Sequence, residues 1–273
     1  MKILALDGGG VFGFAQAKIM TEAKCTDKFD CFVGTSIGSA VSAALVTGKA
    51  VDERFFDEWM PKIFKRSLLR RFNPFVPKYP KKNIVKALQS VFGGTLLGDA
   101  KKPLFVTAAN LCSKRLKVFY SGDTSDSGLL MWEVIRSATA AESYFQPYDG
   151  YADGGVFANN PSMVGIAAAC KSLGAKVGDI ELLSIGAGDK PQNGGHIPST
   201  IIGWGEWLIE AAMSGSASSM HDYFASSLPL KKYVRIQFAR QADRGLDNVD
   251  AMRKAEKEWA AEIANAVNTV RAF

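Results

Sequence analysis

Apolar and polar positions follow two rhythms along this 273-residue chain. Short apolar-rich runs predict strands at Lys2–Leu6, Cys31–Val33, Leu104–Ala109, Lys117–Tyr120, Ile180–Ile185 and Lys232–Phe238. Helical patterns fill several of the intervals. Ile37 to Thr47 is rich in Gly, Ser and Ala, the composition of a tightly packed helix. Asn160-Pro161 offers an N-cap followed by proline at the first helical position, opening a helix through Cys170. Met252, Trp259, Ile263, Val267 and Val270 recur at helical spacing and predict one C-terminal amphipathic helix packed on the body. Strands alternating with helices predict an α/β fold of three layers, with a mostly parallel central sheet flanked by helices. Without repeats or low-complexity tracts, and with 47% hydrophobic content, residues 1–273 are expected to form one domain around a substantial core.

Glycines punctuate this pattern at three places where chemistry is expected. Gly34-Thr35-Ser36-Ile37-Gly38 joins a predicted strand to a predicted helix, the setting of a nucleophile elbow. Its two glycines, Gly34 and Gly38, allow the strained turn and the close approach of the two backbones. Such a serine normally relies on a histidine base. This chain has two histidines, His196 and His221, and neither lies in a loop that suits that role. The candidate base is instead Asp153, followed by Gly154 and Gly155, which let its backbone enter a crowded site. At the N-terminus, Leu4–Leu6 ends in Asp7-Gly8-Gly9-Gly10-Val11-Phe12-Gly13, a turn that brings free N–H groups to a helix N-terminus. An oxyanion needs such donors. The same run fits a G-x-G-x-x-G dinucleotide fingerprint, but the required acidic residue should close the second strand. Asp27 and Asp30 lie before or early in that strand, whose end is the serine turn.

Taken in order, these motifs resemble those of the patatin-like phospholipases, lipid acyl hydrolases with a Ser-Asp dyad. The match comprises G-G-G-x-x-G at Gly8–Gly13, G-x-S-x-G at Gly34–Gly38, and D-G-G followed by N-N-P at Asp153–Pro161. Arg136–Ala141 and Leu182–Gly188 are softer matches, so the resemblance spans roughly residues 1–190. It implies a fold related to the α/β-hydrolases, Ser36 as nucleophile, Asp153 as general base and acid, and an oxyanion hole at Gly8, Gly9 and Gly10. The expected reaction is cleavage of carboxylic esters in phospholipids or lysophospholipids. One position departs from the family: a basic residue commonly precedes the last glycine of the anion loop, and Phe12 stands there. A lone aspartate must reach the serine directly, and burial should raise its pKa above the usual 3.9 or so. Asp7 is expected to brace the first turn. The alternatives are a catalytically weak or activator-dependent membrane-binding effector on the same fold, and an acyltransferase, which would call for a histidine base.

Charge adds a candidate surface. Between Trp59 and Gly98 lie nine basic residues, Lys62, Lys65, Arg66, Arg70, Arg71, Lys78, Lys81, Lys82 and Lys86, with no Asp or Glu. Aromatic residues and prolines are interleaved with them. Residues 55–100 therefore read either as a cap facing anionic lipid headgroups or as a solvated face whose aromatics belong to the core. No stacking module points to nucleic acid. The four cysteines, Cys25, Cys31, Cys112 and Cys170, lack metal or disulfide spacing, so free thiols and neither metal nor cofactor are expected. Met1–Leu6 runs straight into the glycine turn and reads as a strand, not an export signal. No apolar stretch reaches the roughly 18 residues of a membrane span. The expected location is cytoplasmic, with peripheral contact at the inner face of a membrane. Gly194–Ser227 reads either as a mobile lid or as plain surface structure.

Overall fold

The computed structural model describes residues 1–65, 76–189, 199–211, 216–240 and 245–273. The chain starts with β1 (Lys2–Leu6), a short 3-10 turn at Gly10–Gly13 and α1 (Phe14–Ala23). β2 (Cys31–Thr35) runs into α2 (Ile37–Thr47), which α3 (Glu53–Ile63) and α4 (Lys81–Phe92) follow. Next come β3 (Leu104–Asn110), β4 (Arg115–Tyr120) and α5 (Met131–Ala138). β5 (Tyr151–Asp153), α6 (Gly155–Ala158) and α7 (Ser162–Leu173) lead to β6 (Glu181–Ile185). The last elements are α8 (Ile201–Glu210), α9 (Ser216–Ser227), β7 (Lys232–Ile236), α10 (Val249–Glu258) and α11 (Ala260–Ala272).

The strands form one sheet in the order β4-β3-β2-β1-β6-β7, with β5 pairing on β3. Neighbours from β3 through β7 along that order are parallel, and β4 and β5 run antiparallel to β3. The mostly parallel sheet expected from the sequence is thus present. Period-two alternation divides the core between its faces. Leu4, Leu6, Phe32, Val106 and Leu183 join the larger cluster with α1 to α5, α10 and α11. Ile3, Ala5, Val33, Phe105 and Leu182 face α7 and Ala225 of α9. Burial on both faces explains why β1, β2, β3 and β6 read as nearly continuous apolar runs. No helix among the described residues is long and apolar enough to cross a membrane.

Besides the start of α7, where Pro161 and not Asn160 is the N-cap and Asn160 Oδ1 accepts from the Ser162 N–H at 3.0 Å, two details differ from the sequence reading. The C-terminal helix is broken at Trp259 (φ −91°, ψ 8°) into α10 and α11. The Trp259 indole wedges between Phe14 and Phe238, and its Nε1 donates to the Ala239 carbonyl at 3.0 Å. The bend lets both helices pack on α1. The second difference is β5, three residues that the sequence pattern did not mark, because so short a strand carries no periodicity.

Candidate active site

Ser36 closes β2 and occupies the N-cap position of α2 with φ 52° and ψ −125°. A left-handed φ on a serine costs roughly 1–3 kcal/mol and persists only where the surroundings enforce it. Close packing of strand on helix enforces it here. A Cβ on Gly34 would lie 2.5 Å from Ser39 Cα, and one on Gly38 would lie 2.3 Å from the Leu6 carbonyl oxygen. The sharp turn throws the Ser36 hydroxyl outward at the carboxyl end of the strand.

Asp153 arrives there through sheet register. On one edge of β3, Thr107 pairs with Thr35 of β2 and the next residue, Ala108, pairs with Asp153 of β5. β5 therefore continues the line where β2 stops, and Ser36 Oγ donates to Asp153 Oδ2 at 2.5 Å. The other carboxylate oxygen accepts from the Gly155 N–H at 2.8 Å. Thr35 fixes the following turn, its hydroxyl lying 2.7 Å from that of Thr107 and 2.6 Å from the Ala158 carbonyl oxygen. Asp153 is buried, and burial pushes its pKa up to about 6 against the opposing pull of the Ser36 and Gly155 hydrogen bonds. Glu142, which the sequence reading passed over, is partly buried nearby. Burial and then the Asp153 charge push it up to about 8, so it keeps its proton at neutral pH.

The glycine turn faces the same point. The Gly8 N–H donates to the Asn159 carbonyl at 3.0 Å, and that of Val11 donates to Leu246 at 2.9 Å. The N–H groups of Gly9 and Gly10 have no partner among the described residues, and both glycines line the cavity that contains Ser36 and Asp153. Of the three expected donors, Gly8 is thus committed to holding the turn. Gly10 takes φ 58°, and a Cβ there would strike the Leu246 carbonyl, so both the turn and its neighbour demand glycine. Gly13 lies against Ile37, and Gly154 against Thr107, at distances that exclude a side chain.

Asp7 does brace the first turn, and its partner was not anticipated. Arg235 of β7 donates to both carboxylate oxygens, at 2.9 Å and 2.5 Å, and to Ser184 Oγ at 2.6 Å. Burial pushes Asp7 up to about 6, with Arg235 pulling the other way. Burial opposes the Arg235 charge, yet the Asp7 carboxylate raises its pKa above the ordinary value. Gln16 Nε2 ties the ends of β1 and β6 by donating to the Asp7 and Ile185 carbonyls. Phe12, at the position where a basic residue is common, is fully buried with the Arg240 guanidinium 5.1 Å from its ring centre.

The cavity in front of Ser36 is walled mainly by apolar side chains, including Phe55, Met60, Ile63, Ile84, Leu88 and Phe145. Those from α3 and α4 belong to the segment 55–100, so part of it lines the site. Phe64 also lines the cavity and Tyr79 is buried, so these two aromatics belong to the interior. Lys62, Lys65, Lys81, Lys82 and Lys86 are exposed and Lys78 is half-buried. Arg66, Arg70 and Arg71, with Phe72 and Phe75, lie outside the described residues, as does His196. His221 is not part of the cavity wall; it is buried against the Asn160 backbone, and burial lowers its pKa. A hydroxyl bonded to a carboxylate, beside two uncommitted N–H groups and an apolar cavity, suits acyl transfer from a hydrophobic ester.

Comparison with known proteins points the same way. The sequence pattern of the family described as Patatin-like phospholipase matches residues 4–166. A "cGAMP-activated phospholipase" of Vibrio cholerae is 26% identical, over 92% of this chain and 86% of the relative. "Patatin group D-2" of Solanum tuberosum is 26% identical, over 86% of this chain and 75% of the relative. Among solved structures, VipD from Legionella pneumophila superposes with a TM-score of 0.53 at 13% identity. That superposition covers 98% of this chain and about two thirds (66%) of the VipD chain, and it speaks to the fold alone.

Proposed function

The chain belongs to the patatin-like phospholipase family, and from that premise we propose how this lipid acyl hydrolase works. Ser36 gives its proton to Asp153 and attacks the ester carbonyl of a phospholipid or lysophospholipid. The N–H groups of Gly9 and Gly10 receive the oxyanion, in a turn that Gly8 and Asp7 hold in place. Asp153 then protonates the leaving alcohol, and water, deprotonated by Asp153, releases the fatty acid and restores the serine. The observation that carries this reading is the 2.5 Å hydrogen bond between Ser36 Oγ and Asp153 Oδ2, which needs no imidazole between them. A carboxylate pushed up to about 6 is a stronger base than an ordinary aspartate and is still ionised at neutral pH. The same chemistry implies no metal and no cofactor.

The test is hydrolysis of medium-chain esters and of phospholipid vesicles by the wild type and Ser36→Ala. The wild-type kcat/KM should rise with pH through an apparent pKa near 6, because only ionised Asp153 accepts the proton. The Ser36→Ala chain should fall to background while keeping its circular dichroism spectrum. A flat pH profile across that range, or activity surviving in Ser36→Ala, would refute the assignment. One observation favours a second reading, in which the hydrolase idles until an activator binds: the Vibrio cholerae relative is named for activation by cGAMP. Assays with and without cGAMP separate the two, since a constitutive enzyme gains nothing from the nucleotide. Location in the cytoplasm with peripheral contact at a membrane, through the basic residues of 62–86, is part of the same proposal.

A further inference from the structure

A helix on a globular body normally turns its apolar stripe inward. α8 and α9 carry apolar stripes that face outward. In α8, Ile201, Trp204, Trp207 and Leu208 recur at helical spacing and are all exposed, Ile201 to 92%. In α9, Met220, Tyr223 and Phe224 lie on one exposed face, with Tyr223 at 68%. Thirteen large apolar side chains are exposed among the described residues, and these two helices hold seven of them. Within each helix they adjoin, Trp204 against Trp207 at 5.5 Å and Tyr223 against Phe224 at 5.9 Å between ring centres, whereas isolated exposed apolar residues would need no explanation. The opposite face of α9 is anchored: Ala225 is fully buried, His221 nearly so, and Asp222 accepts from the Tyr233 hydroxyl at 2.5 Å. The outward stripe of α9 is therefore not the face by which it packs on the body.

We propose that α8 and α9 are the surface by which the chain docks on a lipid bilayer, an inference that rests on the lipid hydrolase reading for the identity of its target. Side-chain type favours this occupant. Trp and Tyr place a polar edge among headgroups and an apolar ring below them, and Ile, Leu, Met and Phe reach the acyl region. Position favours it as well. α9 packs on α6 and α7, the helices that follow Asp153, and His221 is bonded to the Asn160 backbone. Phe157 of α6 is exposed, carrying apolar surface to within two residues of Asn159, which lines the Ser36 cavity. Docking there would set the wall of the catalytic cavity against the layer that supplies its substrate. Residues 199–230 contain no Lys or Arg, so attachment through α8 and α9 is by insertion of side chains and not by charge. Salt should weaken it little, unlike attachment through the basic residues of 62–86.

The test uses the full chain carrying Ser36→Ala, so that vesicles survive the measurement. Phosphatidylcholine vesicles with brominated acyl chains should quench its tryptophan fluorescence, at low and high salt alike and without added phosphatidylglycerol. Trp204→Ser with Trp207→Ser, and separately Tyr223→Ser with Phe224→Ser, should each weaken vesicle binding at least about tenfold. With Ser36 restored, both variants should hydrolyse a water-soluble short-chain ester within about twofold of the wild type, as exposed substitutions away from the site do. Vesicle binding unchanged in both variants, or binding that needs anionic lipid and vanishes in salt, would overturn the proposal. A stable dimer that both variants dissociate, with no vesicle binding by the parent, would assign the surface to a second copy instead. Docking by a chain that hydrolyses no ester would leave this inference standing while the hydrolase reading fails, and the reverse pattern would fail the docking alone.

Discussion

Asp153→Asn is expected to lower ester hydrolysis by about three to four orders of magnitude and, at neutral pH, to make the protein more stable. The first effect follows from the hydrogen bond to Ser36: an amide of the same shape keeps the contact but cannot accept a proton. The second follows from burial. A carboxyl whose pKa rises from 3.8 to about 6 on folding binds its proton more tightly in the native state. Stability therefore falls as pH rises from about 4 through about 6, and above that the ionised group costs about 3 kcal/mol. Asparagine removes the charge and the cost together, less whatever its amide loses beside the Gly155 N–H. A gain of about 1–3 kcal/mol, or a few degrees in Tm, should appear at pH 8 and vanish near pH 4, where both side chains are neutral. Melting curves of the two proteins at both pH values decide the matter. An equal gap at both, or a less stable variant at pH 8, would mean that Asp153 is not held in the buried state described.

The parts of the site that sequence made legible are those where local backbone geometry demands one residue type. Gly34 and Gly38 are needed because β2 and α2 almost touch, and a serine between them announces the turn. Asp153 stood out through its glycines, but its place beside Ser36 depends on β5 pairing one residue beyond Thr107, and three residues give no pattern to read. Arg235 looked like one more residue of a predicted strand, and its meaning lies in an aspartate 228 positions away. The Gly8 N–H could not be told from those of Gly9 and Gly10, since only the fold brings Asn159 to it. Composition left two readings open around residue 60. Phe64 and Tyr79, interleaved with lysines, belong to the interior, while among the described residues the exposed aromatics are Phe157 of α6 and Trp204, Trp207, Tyr223 and Phe224 of α8 and α9, a stretch without basic residues. Which side of an apolar helix meets the body depends on its neighbours, and hydrophobic spacing alone does not name them.

Arg235→Met should destabilise the protein by about 3–5 kcal/mol near neutral pH, more than its place in β7 near the end of the sheet suggests. The guanidinium is the counterion of Asp7, which is almost wholly buried, and its loss would leave a carboxylate without solvent or partner. Asp7 can escape only by taking up a proton. With Arg235 gone the pull that holds its pKa down is gone too, so the carboxyl becomes neutral at a higher pH than in the wild type. The deficit of Arg235→Met should accordingly shrink as pH falls toward and below 6. Adding Asp7→Asn should recover most of it at neutral pH, because the uncompensated charge is what costs stability. Catalysis should suffer even in the recovered double variant. Asp7 directly precedes the turn that carries the Gly9 and Gly10 N–H groups, and a displacement of about 1 Å there costs up to about a hundredfold in kcat. Urea unfolding across pH, set beside kcat for the two single variants and the double, separates these effects. If Asp7→Asn adds to the loss instead of offsetting it, the pair acts through packing, and the ion-pair account of the turn is wrong.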